Sequence, residues 1–76
     1  MTGTTKNLPQ MPEGLIEADM ELVGIDGNAF AILGAVAKGL RKAGNDPATV
    51  TAWTNEAMSG DYNWLLQAAM MATGDL

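Results

Sequence analysis

Three of the four basic residues of this chain, Lys38, Arg41 and Lys42, fall within five positions of one another. At helical spacing Lys38 and Arg41, and Lys38 and Lys42, share a face. An arginine fork and two lysine point charges on one face are what phosphate recognition asks for. The same cations near the end of a helix also complement its dipole, which is their ordinary structural use. Continued backward, the face meets Gly34, Ala35 and Ala31, a smooth surface of small residues. A second feature lies upstream, where Asp26-Gly27-Asn28 forms a turn into a helix. Asp and Asn accept hydrogen bonds from the free N–H groups of a helix start, and such a start carries about half a positive charge. Tyr62 and Trp64 offer planar faces on which a base can stack, although at least one is expected in core or interface packing.

Catalytic chemistry finds little support. The chain has no histidine and no cysteine, so Ser-His-Asp and Cys-His arrangements, thiolate metal sites and disulfides are all excluded. Asp26-Gly27-Asn28 lacks the later ligands and closing Glu of a calcium loop. Gly24 and Gly27 do not match the spacing of a Walker or dinucleotide-binding loop. Glu17, Asp19 and Glu21 alternate as a solvated acidic segment would. The expectation is a protein with no catalytic residues, no metal and no cofactor.

The elements that must position these residues are helical. Asn28 to Ala43 reads as a first helix ended by Gly44, with Phe30, Leu33, Val36, Ala37 and Leu40 as its apolar face. Gly34 and Gly39 inside it each cost about 1 kcal/mol relative to Ala. Such glycines point either to a close approach by another backbone or a ligand, or to a tolerant surface. Asp46-Pro47 caps and opens a second helix, with Val50, Trp53 and Ala57 inward and Ser59-Gly60 at its end. Asp61 caps a third, from Tyr62 to Thr73, ended by Gly74 and apolar nearly all round.

The fold expected is therefore all-α, a three-helix body spanning residues 15–76 behind a disordered arm of residues 1–14. Met20 to Val23 alternates weakly, as a short strand or an extended arm on a partner would. Seventy-six residues make one small domain without disulfide or metal staples. A body of this size cannot cover two apolar faces of its third helix alone, which predicts a homo-oligomer, a dimer or a tetramer. The net charge of −5 disfavours polymeric nucleic acid and anionic membrane as partners. With no apolar run of membrane length and no signal-peptide pattern, the expected location is the cytoplasm.

The segment Leu22-Val23-Gly24-Ile25-Asp26-Gly27-Asn28-Ala29-Phe30-Ala31-Ile32-Leu33-Gly34, with the later Ser59-Gly60-Asp61-Tyr62-Asn63-Trp64-Leu65-Leu66, resembles a group of short phage-encoded proteins. The resemblance runs from Leu22 to Met71. That group is in turn similar to the phage anti-CBASS sponge proteins. These are small helical homo-oligomers that sequester cyclic oligonucleotide immune signals without cleaving them. The resemblance implies a cyclic di- or trinucleotide ligand held in the cytoplasm of the host bacterial cell. Asp26, Gly27, Asn28, Lys38, Arg41, Lys42, Tyr62 and Trp64 are the ligand-binding candidates. Trp64 departs from the polar residue expected there. The alternative is a small acidic inhibitor that docks, through an adaptable methionine-rich surface, onto a host or immune protein.

Overall fold

Each helix starts and stops where a side chain or a glycine settles its unpaired backbone groups. A computed structural model of the chain describes residues 8–74, and these contain three helices and no strand. Helix α1 spans Ala29–Ala43, α2 Pro47–Ala57 and α3 Tyr62–Thr73. The Asn28 carboxamide accepts the Phe30 N–H at 2.8 Å, while Asp26 accepts the Asn28 N–H at 2.9 Å. Asp46 caps α2 through the Thr49 N–H at 2.8 Å, and Asp61 caps α3 through the Trp64 N–H at 3.0 Å. Gly44 and Gly74 close α1 and α3 with φ of 109° and 71°, conformations that a side chain disfavours. Helix α2 ends at Ala57, directly before Met58 and the expected Ser59-Gly60, and the Ser59 hydroxyl and the Trp64 indole N–H both donate to the Glu56 carbonyl.

The three helices pack each against the other two. Trp53, Leu40 and Val36 form the fully buried centre, and the Trp53 indole N–H finds the Ala68 carbonyl at 3.1 Å. Ala68, Ala69 and Ala72 are buried on α3, where small side chains let the neighbouring elements come close.

One residue expected in the core lies outside it. Phe30 is 78% exposed, and Ile32 is buried instead. The inward ridge of α1 steps back by fours from Leu40 through Val36 to Ile32. Phe30 lies two residues, about 200°, from that ridge and so faces solvent.

Residues 15–25 form no strand; they strap the chain's own helices. The Ala18 N–H donates to the Ala72 carbonyl at 2.8 Å, next to the end of α3. The Asn45 side chain grips both backbone groups of Ile16, accepting its N–H and donating to its carbonyl, each at 2.8 Å. Leu15, Met20, Leu22 and Ile25 pack against the core. The strap removes the premise that α3 carries an apolar face one chain cannot cover: Leu66 is half-buried, and Tyr62 is the one large apolar residue of α3 that is exposed. Of the expected arm, residues 1–7 lie outside the described region. Residues 8–14 run against the body, where Met11 joins the core and the Gln10 N–H donates to the Glu56 carboxylate at 3.0 Å.

Candidate functional site

Strap and helix meet in a groove. Ile16, Glu17, Asp19 and Met20 form one wall, and Ala35, Lys38, Gly39, Lys42 and Ala43 form the other, enclosing about 620 Å³. That volume is in the range of small-molecule sites, about 300–1,000 Å³. Gly39 sets the width at its base. A Cβ there would stand 2.6 Å from the Met20 sulfur and 3.1 Å from the Ala18 Cβ, so only glycine lets the strap lie this close.

Lys38 and Lys42 stand one helical turn apart along the groove, their backbone positions about 6 Å apart along the helix axis. Among the described residues neither lysine, nor Arg41, forms an ion pair. Arg41 is exposed but lies outside the groove, so the basic cluster divides into two lining residues and one on the outer face of α1. Glu17 and Asp19 of the strap also line the groove, the Glu17 carboxylate lying beside Gly74 at the end of α3, and Ile16, Met20, Ala35 and Ala43 give it apolar surface. Such a lining suits a ligand with anionic groups, an apolar body and N–H donors. Among the described residues no group of three or more carboxylate, histidine or cysteine side chains is arranged to hold a metal ion.

The other candidates gather at the opposite end of α1. The Tyr62 hydroxyl donates to the Gly27 carbonyl, tying the first turn of α3 to the Asp26-Gly27-Asn28 turn. Tyr62, Gly27, Leu22, Ile25, Ile32 and Leu66 surround a smaller, apolar hollow of about 160 Å³. The Asp26 and Asn28 side chains are taken up in capping, so part of the helix start is already satisfied from within. Asn28 and Lys38 are ten residues apart, roughly 15 Å along the axis.

Trp64 belongs to neither place. Its indole lies on Gly60, where a Cβ would come within 2.6 Å of the ring, and its N–H donates to the Glu56 carbonyl at 2.9 Å. It is a half-buried brace between α2 and α3. The strap residues Glu17 and Asp19 read in the sequence as a solvated acidic segment and not as lining of a site. The one signal for them was Gly39, a mid-helix glycine whose cost implied a close neighbour. Gly34, its companion, has nothing within 4 Å of where a Cβ would stand. Comparison of the chain with protein-family models, with curated proteins and with solved structures gave no match in any of the three.

Proposed function

We propose that this protein binds and sequesters a cyclic di- or trinucleotide without cleaving it, acting as a phage immune-evasion factor in the host bacterial cytoplasm. The observation that carries the reading is the pair Lys38 and Lys42, one turn apart and, among the described residues, free of ion pairs, on the wall of a groove of about 620 Å³. Glu17 and Asp19 balance the two lysines, so the groove is formally neutral in a chain of net charge −5, and screening within about 8 Å limits the effect of the more distant acidic residues. The lysines meet phosphates, while Glu17 and Asp19 accept N–H groups of the bases. Absence of histidine and cysteine agrees with binding in place of turnover. In a homo-oligomer, the Asp26–Asn28 turn and Tyr62 of one copy would stand beside the groove of the next. Arg41 would then face the ligand from the outer side of α1.

Titration calorimetry with a panel of cyclic di- and trinucleotides tests the reading, together with chromatography showing that bound ligand is recovered intact. The double variant Lys38→Ala/Lys42→Ala is expected to lose at least tenfold in affinity. Absence of binding by the intact chain would end this reading. The alternative, an acidic inhibitor docking onto a host or immune protein, then leads, favoured by Val23 at 85% exposure and Met58 at 58%.

A further inference from the structure

The charges that line the groove balance in sign but do not pair: among the described residues Lys38, Lys42, Glu17 and Asp19 form no ion pair. The two carboxylates are held differently. Glu17 reaches toward the end of α3, its Oε1 2.7 Å from where a Gly74 Cβ would stand. Asp19 is exposed and, among the described residues, makes neither a hydrogen bond nor an ion pair. Its neighbours on both sides are fixed. The Ala18 N–H donates to the Ala72 carbonyl at 2.8 Å, and the Ala18 Cβ and the Met20 sulfur lie against the bare backbone of Gly39. A short side chain on a backbone held at both neighbours keeps its carboxylate within a narrow region of the groove, so binding has little left to order.

An ionised carboxylate only accepts, through two oxygens. It is matched best by two adjacent donors, which give a pair of charge-assisted bonds. Of the common bases, guanine alone carries two adjacent donors on its Watson–Crick edge, the N1–H and the N2 amino group. Adenine and cytosine set an acceptor nitrogen beside their amino group, and uracil flanks its N3–H with two carbonyls. Each of these turns a lone pair toward the carboxylate, and such an unpaired, repulsive contact is what discriminates between otherwise similar ligands. Phosphate contacts cannot do so, because they position a nucleotide without reading its base.

We infer that Asp19 is the residue that reads the base, and that the ligand carries guanine; the inference rests on the reading of the groove as a cyclic nucleotide site. The guanine N1–H and N2 amino group donate to the two Asp19 oxygens, while Lys38 and Lys42 meet the phosphates. Titration calorimetry of the intact chain compares cyclic di-guanylate, cyclic di-adenylate, the mixed guanylate–adenylate ring and cyclic di-inosinate, which keeps the N1–H but lacks the amino group. Both rings that hold guanine should bind at least tenfold tighter than cyclic di-adenylate, with cyclic di-inosinate between them. Asp19→Asn puts a donor in place of one acceptor oxygen and breaks no bond among the described residues, so Tm should hold. Its affinity for the guanine rings should fall at least tenfold, while that for cyclic di-adenylate holds or rises. Glu21→Gln removes the same charge two positions on, at an exposed residue outside the groove lining, and should leave the order of ligands unchanged. Equal affinity of the wild-type chain for guanine and adenine rings would overturn the proposal, and so would an Asp19→Asn variant that loses both alike. A chain that binds no cyclic di- or trinucleotide ends the ligand reading, and this inference with it.

Discussion

The sulfur of Met20 occupies the space that a side chain at residue 39 would take, 2.6 Å from the position of a Cβ on Gly39. Strap and helix are thus joined at the one point of α1 where the backbone is bare on its inner side. The groove lies beside this contact, and the strap is held there also by Asn45 and by the bond from Ala18 to Ala72.

The two glycines within α1 should therefore respond oppositely to the same change. Gly34→Ala and Gly39→Ala gain the same helix propensity, about 1 kcal/mol. Gly39→Ala alone must displace Met20 and press on the Ala18 Cβ at 3.1 Å. Overpacking of this kind costs about 1–3 kcal/mol, so the two variants should differ by that amount. Urea unfolding of both measures it.

The Asn45 side chain makes three hydrogen bonds, two to the backbone of Ile16 and one to the Leu40 carbonyl. Asn45→Ala should loosen the strap and lower stability by about 1–3 kcal/mol, as unpaired polar groups are left behind. Hydrogen exchange checks the location of the loss: protection of the Ile16 and Ala18 amides should fall more than that of the α2 amides.

Trp64 and Lys42 separate packing from binding. Trp64→Phe keeps the ring on Gly60 but removes the N–H that meets the Glu56 carbonyl. It should cost about 1 kcal/mol of stability and leave nucleotide affinity unchanged. Lys42→Gln should do the reverse, weakening binding at least tenfold with stability held. Calorimetry and thermal unfolding of the two variants, read together, decide it.

Asp46 gives the fold an acid sensitivity of known sign. Its carboxyl is held below the ordinary range by hydrogen bonds from the Thr49 hydroxyl and the Thr49 N–H. A lowered folded-state value means that the charged form stabilises the native chain. That contribution is present above the ordinary carboxylate value and is lost as pH falls through the lowered one. Asp46→Asn keeps a cap acceptor without a titrating group. The stability advantage of wild type over this variant should shrink as pH falls from neutral to about pH 2, as followed by denaturant unfolding at each pH.

The helix boundaries were written in the sequence. Asn28, Asp46 and Asp61 settle N–H groups two or three residues away, and Gly44 and Gly74 settle carbonyls within the last turn. Such bonds are local, so residue type and spacing suffice to locate them. The cationic end of α1 was legible for the same reason. The assignments that depended on distant partners were not. Whether Phe30 or Ile32 faced inward depended on where α3 lay, not on the number of apolar residues in α1. The apparent second face of α3 was met by a strap some fifty residues upstream, through the bond from Ala18 to Ala72. Trp64 reads as either a stacking face or a packed ring until Gly60 and the Glu56 carbonyl are set beneath it. Lys38 and Lys42 line a groove while Arg41 does not, because residues 16–20 cross α1 on one side only. A periodic pattern states how many faces a helix must cover. Which segment covers each is decided by contacts between residues far apart in the chain, and those form only when the whole core packs.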